Sequence, residues 1–427
     1  MRLYPLQRQK FSRSARPFGA PRTGRTWGTL LVILAAVAIV IVPVATLEIP
    51  REVARWHVAA ATESALNGDY PTALVAMDRA IAWDPANPAL LLAQASYRLE
   101  TGAWEQGLQD CDQLASLLPD DPDVGELRSS FLHHLGRHRE AIAVWKNILR
   151  TSGSQPANRE QHLLNGLAYA TAIGGLNLEE GRLAVEKALQ IVANVPAILD
   201  PGGVLDFGRA VTAHELGQAD EAVQFATSAR DSAESALQHV SRRASHAAEA
   251  DPQAAIRRVE EQAIRAHLAG ILELRSQLND ELGRTDEAAE DRRRKQELMS
   301  GGNLAEVRPY GLEVAVDRVG GCASILDTRG FVLFRLGMFE EALTDLDLAL
   351  AAYEQVSRTL PAFVEARKHL IIDMRQEDRQ EYHIRRTQAV IRYHRSLTLD
   401  AMGQPAKAEQ DRTAIRDLGF VPDEHLF

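Results

Sequence analysis

Residues 67–85 read NGDYPTALVAMDRAIAWDP, residues 101–119 read TGAWEQGLQDCDQLASLLP, and residues 135–153 read LGRHREAIAVWKNILRTSG. Their first glycines are Gly68, Gly102 and Gly136, and each is 34 residues after the one before it (102 − 68 = 34 and 136 − 102 = 34). The three stretches therefore align without a gap. In each stretch an aromatic or imidazole residue follows the glycine by two positions and a small residue follows it by five: Tyr70 and Ala73, Trp104 and Gly107, His138 and Ala141. A fixed period of this length indicates a repeat architecture.

Each unit predicts a pair of antiparallel helices. Apolar residues recur at helical spacing on both sides of the glycine, which would end the first helix in a left-handed conformation. Small residues also stand seven positions before the glycine, which lets the two helices approach closely: Ala61, Ala95, Ser129 and Gly330. Neither helix can bury its apolar stripe alone, so the units are expected to stack on one another.

The same pattern recurs along the chain. It is clear in ILDTRGFVLFRLGMFEEALTDLDLAL at residues 325–350, around Gly337, and looser around Gly217, Gly283 and Gly403 and within 163–191. In the fifth unit, ILDPGG at 198–203 matches ILDTRG, but seven additional residues precede the turn. Seven residues are about two helical turns, so we expect a longer first helix there.

The motif residues named above resemble those of the tetratricopeptide repeat (TPR) family. The resemblance covers most of residues 54–420 in about eight units and is most specific in the first three and in residues 323–356. The helix-opening tryptophan of the family is missing, and its equivalent positions hold His57, Leu91, Gly125 and Leu326. The resemblance implies an all-α, TPR-type helix-hairpin solenoid.

We divide the chain as follows. Residues 1–26 form a basic tail, 27–47 a transmembrane anchor, and 54–235 the first part of the array with about five repeats. Residues 236–322 are predicted to be a helical extension, interrupted near Pro252, with one degenerate repeat and a loop or short strand at 300–322. Residues 323–420 hold the C-terminal repeats.

The anchor is predicted from charge and length. The tail carries seven basic residues and no acid, and the run from Thr29 to Leu47 carries no charge. As a helix this run would reach about 28 Å, close to the hydrocarbon thickness of a bilayer. The positive-inside rule then places the tail in the cytoplasm and the repeats on the extracytoplasmic side. A cleaved signal peptide and a buried core helix are the alternatives.

The charge of the remaining chain bears on its partners. Removing the seven basic residues of the tail from the total of 48 leaves 41 against 58 acidic residues, a formal charge of −17. Such a body repels phosphate backbones, which argues against nucleic acid. A basic or amphipathic protein segment is the expected partner.

Candidate chemical groups have simpler structural explanations. Asp327, followed by Thr328, is interpreted as a helix start, as is Asp200 in the matching place. His134 and His138 have a zinc-like spacing, but the turn glycine Gly136 lies between them. Cys111 falls on a core position, and whether it pairs with Cys322 stays open. No phosphate loop or nucleophile motif is present, so we expect no catalytic, cofactor or metal site.

The leading hypothesis is a membrane-anchored scaffold that binds a protein or peptide. In the TPR family the first helices line a concave face, which implies these contact residues: Arg55, Val58 and Thr62; Leu92, Ser96 and Leu99; Glu126, Ser130 and His133; Asp327, Phe331 and Phe334; and Tyr393, Leu397 and Asp400. The Lys and Asn with which some members hold a C-terminal carboxylate are absent from the first three of these helices, which disfavours that mode of binding. The alternatives are a self-associating architectural subunit and, with less support, an enzyme with a site in 300–322.

Overall fold

The computed structural model describes residues 48–423, except 120, 152–156, 193–194, 246–253, 301–303 and 368–374, together with the isolated positions 32 and 35. Every regular element in these ranges is a helix, which confirms the all-α prediction for this part of the chain. The helices are α1 (Ile49–Leu66), α2 (Tyr70–Trp83), α3 (Pro88–Glu100), α4 (Trp104–Leu117), α5 (Pro122–His134), α6 (His138–Thr151), α7 (Ala157–Gly174), α8 (Leu178–Val192), α9 (Val195–Leu199), α10 (Pro201–Glu215), α11 (Ala219–Ser245), α12 (Ala254–Glu281), α13 (Thr285–Ser300), α14 (Leu312–Arg335), α15 (Phe339–Arg367), α16 (Arg375–Ala401) and α17 (Pro405–Asp417).

The predicted turn glycines end the first helix of each hairpin. All seven have φ between +70° and +81°, and an eighth glycine, Gly175 between α7 and α8, has a φ of +60°. At Gly68 the next amide, that of Asp69, donates to the carbonyl of Ser64, five residues back. This bond closes the C-terminus of a helix in the way that a glycine in the left-handed region allows. The hairpin prediction is therefore confirmed at each of these turns.

The stacking order departs from the chain order. Helices α1 to α8 pack one after another as four hairpins. The next hairpin in space is α14/α15, because α14 packs on both α7 and α8, and α16/α17 follows it. Helices α9 to α13 form a side branch that packs against α14 and α15 chiefly through α10. The solenoid therefore has six hairpins, and its first helices are α1, α3, α5, α7, α14 and α16.

Helix α14 packs against both the solenoid and the side branch. Its N-terminal end packs on the branch at Gly208, where a Cβ atom would lie 2.6 Å from that of Ala315. Thr212 of α10 accepts a hydrogen bond from the amide of Leu312 at 3.0 Å. Its C-terminal end contributes Ile325, Phe331 and Val332 to the core that α7 and α8 share. With 24 residues, against 13 for α3 and α5, α14 is long enough to reach both the branch and the core of α7 and α8.

Ion pairs join the helices of the last three hairpins at matching positions. An arginine stands eight residues before the turn glycine, an aspartate stands eight after it, and the arginine Nε donates to the carboxylate. The pairs are Arg275–Asp291 at 3.0 Å, Arg329–Asp345 at 2.6 Å and Arg395–Asp411 at 2.8 Å. At the same two positions in α10/α11, the guanidinium of Arg209 lies 4.8 Å from the ring centroid of Phe225. These contacts fix the register of each hairpin.

Two predictions about the helices are wrong. The loop predicted at 300–322 ends early, since α14 begins at Leu312 and only 304–311 is irregular among the described residues there. The fifth unit has no long first helix, because Pro201 starts a new helix after α9 and Asp200 caps it by accepting from the amide of Gly203. The division predicted at 235/236 falls inside α11.

The predicted tail and anchor lie outside the described residues, apart from positions 32 and 35. Pro252, where an interruption was predicted, also lies outside them, between α11 and α12. Within the described part of the chain, no helix combines the length and the apolar character that a bilayer span needs. Cys111 and Cys322 are both buried and unpaired.

Candidate functional site

A cavity of about 590 Å³ lies where five first helices of the solenoid converge. Its walls come from α3, α5, α7, α14 and α16, with α6 beneath them. Four of these helices place the residue six positions before the turn glycine on the wall: Ser130, Tyr169, Phe331 and Leu397. Because the same repeat position recurs on adjacent helices, these side chains form one row.

Aromatic stacking makes one wall rigid. The ring of Phe331 stacks on that of His394 with centroids 3.9 Å apart and planes 12° apart, and Tyr169 meets His394 edge-on at 5.9 Å. His394 is fully buried, and its Nδ1 lies 2.9 Å from Oδ1 of Asp327. Asp327 was predicted to start a helix. It lies instead in the interior of α14, because that helix already begins at Leu312.

Three histidines line the opposite wall. Nδ1 of His133 lies 3.1 Å from Nδ1 of His138, and His134 stacks on Trp104 with centroids 5.0 Å apart. Burial, together with the neighbouring His138 and His134, lowers the pKa of His133 to about 4. His133 is therefore neutral at pH 7.

Two buried polar atoms on this wall have no hydrogen-bond partner among the described residues. They are Nε2 of His133 and Oγ of Ser129, whose residue is only 1% exposed. Leaving a buried polar group unsatisfied costs about 1–3 kcal/mol. Both residues belong to the cavity lining.

Two arginines complete the described lining, which contains no carboxylate. Arg386 of α16 lies 3.7 Å from Glu100 at the end of α3. Arg335, at the end of α14, is exposed and forms no ion pair with any described residue. Its guanidinium lies against Gly175, where a Cβ atom would approach Nη2 to 2.2 Å. The turn between α7 and α8 thus leaves room for this side chain at the edge of the cavity.

The floor depends on a glycine that no repeat rule predicted. Trp145 of α6 is 8% exposed and lies under Gly166 of α7, where a Cβ atom would come within 2.3 Å of the indole ring. Only glycine therefore lets α7 pass over this ring. The result is a flat apolar base for the cavity.

Six of the fifteen predicted contact residues meet at this cavity: Leu99, Ser130, His133, Phe331, Tyr393 and Leu397. The other nine lie elsewhere. Glu126 joins α5 to α7 through an ion pair with Arg159 at 3.2 Å and a contact between its Oε2 and Nε2 of His162 at 3.0 Å. Phe334 packs on Phe331, and Asp327 is buried. Asp400 pairs with Arg412. The remaining residues lie on α1 and α3, outside the cavity lining: Arg55, Val58, Thr62, Leu92 and Ser96.

Sequence reasoning missed several wall residues. Tyr169 stands six positions before Gly175, so the repeat rule would have found it once that glycine was recognised as a turn. Arg335 stands two positions before Gly337, as His134 and Ile173 stand before their own turn glycines, so it could have been found in the same way. No signal in the sequence marked His394 or Arg386. Among the described residues, no group of three or more side chains could hold a metal ion.

Comparisons with known proteins add little to this geometry. No family model matches the chain, and no curated protein matches its sequence. Among solved structures, a tetratricopeptide repeat protein from Parabacteroides merdae is 15% identical, with 72% of this chain and 99% of that chain covered and a TM-score of 0.29. The TPR domain of P58(IPK) is 14% identical, with 87% and 95% covered and a TM-score of 0.24. Yeast Tom70 is 14% identical, with 86% and 76% covered and a TM-score of 0.24. At such TM-scores the likenesses carry no argument about this chain.

Proposed function

We propose that the protein is a scaffold that binds a segment of another protein along the inner face of its solenoid, with the cavity as the anchoring point. The observation that supports this most is the row formed by Ser130, Tyr169, Phe331 and Leu397 beside two unsatisfied buried polar atoms. Concave sites lined by aromatic and aliphatic side chains, with a few polar groups, are typical of binding sites.

Site-specific photo-crosslinking tests this proposal. A photoreactive amino acid replaces Ser130 or Leu397 on the inner face and, as a control, Gln109 on the exposed side of α4. We expect the same protein adduct from both inner positions and none from Gln109 in cells that make the full-length chain. Equal adducts from all three positions, or none from the inner ones, would refute the proposal.

We further propose that residues 27–47 anchor this scaffold in a membrane. The support is the uncharged run from Thr29 to Leu47, which follows a basic tail. Full-length protein is expected to stay in the membrane pellet after alkaline carbonate extraction, and a variant lacking residues 1–47 is expected in the supernatant. Release of both proteins alike would contradict the anchor.

Self-association is a second candidate function, favoured by exposed apolar side chains on the first described hairpin of the array. The α1/α2 hairpin exposes Trp56 to 69% and Val75 to 52%, and such exposed apolar side chains favour contacts between chains. Light scattering of the full-length chain in detergent measures this directly. A dimer that Trp56→Ser converts to a monomer would support it, and a monomeric wild type would exclude it.

A further inference from the structure

We propose that the cavity binds an acidic side chain that stands next to a large apolar residue in the partner segment. This inference rests on the proposed function and gives the chemistry of the segment. At this site the proposed guest is acidic, whereas the negative charge of the whole chain predicts a basic partner.

The first reason is the local charge. The body of the chain has a formal charge of −17, yet the described cavity lining contains two arginines and no carboxylate. Glu100 offsets Arg386 at 3.7 Å, and the buried Asp327 lies behind Phe331 against His394. Arg335 therefore remains as the one lining cation without an ion pair to a described residue. A basic guest would face this charge, whereas a carboxylate would pair with it.

The second reason is the pair of unsatisfied buried atoms. In a neutral imidazole one nitrogen carries the proton and the other accepts. When His138 donates across the 3.1 Å contact between the Nδ1 atoms, the proton of His133 stands on Nε2. Nε2 of His133 and the hydroxyl of Ser129 are then two hydrogen donors in the lining residues that have no partner among the described residues. Backbone carbonyls or a carboxylate of the bound segment would satisfy them.

The third reason is the apolar part of the lining. Phe331, Leu397 and the ring of Trp145 offer aromatic and aliphatic surface beside the polar groups. A cavity of about 590 Å³ falls in the range of small-ligand pockets, which is too small for a folded helix and suited to a few side chains. An aromatic or leucine side chain would fill the floor while its acidic neighbour reaches Arg335 at the edge.

A random peptide library tests the chemistry without a known partner. Phage-displayed dodecapeptides are selected on the full-length chain in detergent micelles, and enriched peptides are measured by fluorescence anisotropy. We expect enriched sequences with Asp or Glu beside Phe, Tyr, Trp or Leu. Changing that acid to its amide is expected to weaken binding by about tenfold or more, because a charge-assisted hydrogen bond is lost.

Two variants show whether binding depends on Arg335 itself or on the loss of any positive charge. Arg335→Gln is expected to cause the same loss as the acid-to-amide change in the peptide, and the two changes together are expected to cost little more than either alone. Arg139→Gln, which changes an exposed arginine of α6 outside the cavity lining, should leave binding unchanged. Circular dichroism of each variant shows whether its fold is kept.

Several results would overturn the inference: enrichment of basic peptides, no enrichment at all, or binding that neither change weakens. None of these results decides the proposed scaffold function, which the crosslinking experiment tests separately. An adduct from Ser130 that persists while acidic peptides fail to bind would keep the scaffold and discard the acidic guest. The absence of inner-face adducts would discard the scaffold itself.

Discussion

Replacing Gly107 with alanine should destabilise the third hairpin against the second, although alanine is the better helix former. Gly107 lies on α4, five residues after its turn glycine, where other units carry alanine. A Cβ atom there would lie 2.1 Å from Cζ and 2.2 Å from Cε1 of Phe131. Phe131 is fully buried on α5, so its ring has no open space to enter.

The magnitude follows from two opposing effects. Glycine to alanine inside a helix gains about 1 kcal/mol. Carbon atoms prefer separations of about 3.5–4.0 Å, so the Phe131 ring or the backbone of α4 must move by more than about 1 Å. Forcing extra atoms into a packed core costs about 1–3 kcal/mol, and more when a ring cannot turn away. Because the clash falls on the body of a buried ring, the cost lies at the upper end of this range, about 2–3 kcal/mol, and we expect a net loss of about 1–2 kcal/mol.

Thermal and urea unfolding of the full-length chain, with hydrogen exchange to locate the change in α4 and α5, measure this loss. Gly321→Ala is the matched control, because Gly321 lies inside α14 with no atom within 4 Å of its Cβ position, and it should gain about 1 kcal/mol. Adding Phe131→Leu to Gly107→Ala should recover part of the loss. A Gly107→Ala protein as stable as the wild type, or strictly additive double-mutant losses, would refute the reasoning.

Three further outcomes are expected. Asp411→Asn should cost about 3 kcal/mol of unfolding free energy in urea titrations, because Asp411 is 1% exposed and pairs with two arginines, whereas Asp400→Asn at the surface should cost less than about 1 kcal/mol. The pKa of His133 lies near 4 in the folded chain and near 6.5 in the unfolded chain, so its contribution to stability is present above pH 6.5 and is lost as the pH falls towards 4. The difference in unfolding free energy between wild type and His133→Gln, measured by urea titration, should change by at most about 3 kcal/mol over that range. Gly208→Ala should push α14 from the branch and weaken binding of enriched peptides at the cavity, measured by anisotropy, without changing a lining residue.

The hairpins could be predicted because their signals are local. A turn glycine, a small residue seven positions before it and another five after it all lie within one unit. In the structure Ala61, Ala73, Ala95 and Ala342 are 0% exposed, as close helix packing requires. Ser130, Phe331 and Leu397 were expected on a different ground, since the resemblance to the TPR family implies that the first helices line a concave face.

The stacking order could not be predicted from local pattern. Seen from the sequence, α10 should follow α8, since both belong to units with a turn glycine. The structure places α14 there, and the reason is side-chain packing between segments that are far apart in the chain: Phe331 and Val332 share a core with Leu163 and Val185. No spacing rule reports which of two amphipathic helices fits a given surface better.

The sequence also contains a pattern of opposite charges that could have been used to predict the ion pairs within the hairpins. Arg395 and Asp411 stand at equal distances before and after their turn glycine, and the same pair occurs around Gly283 and Gly337. Scanning each unit for opposite charges at mirrored positions would have identified these buried contacts. The pattern marks the last hairpins as more polar inside than the first ones.

The out-of-order stacking has a consequence for how the site forms. In a simple solenoid each unit contacts only its neighbours in sequence, so a groove can form locally. Here one side of the cavity comes from residues 99–173 and the other from residues 331–397, and the two meet only when α14 docks on α7 and α8. Closing a loop of this length costs conformational entropy that local hairpins do not lose, so the cavity should form after the first four hairpins. The branch offsets part of that cost, because Thr212 and Gly208 of α10 hold the start of α14 and so fix the direction in which Phe331 approaches.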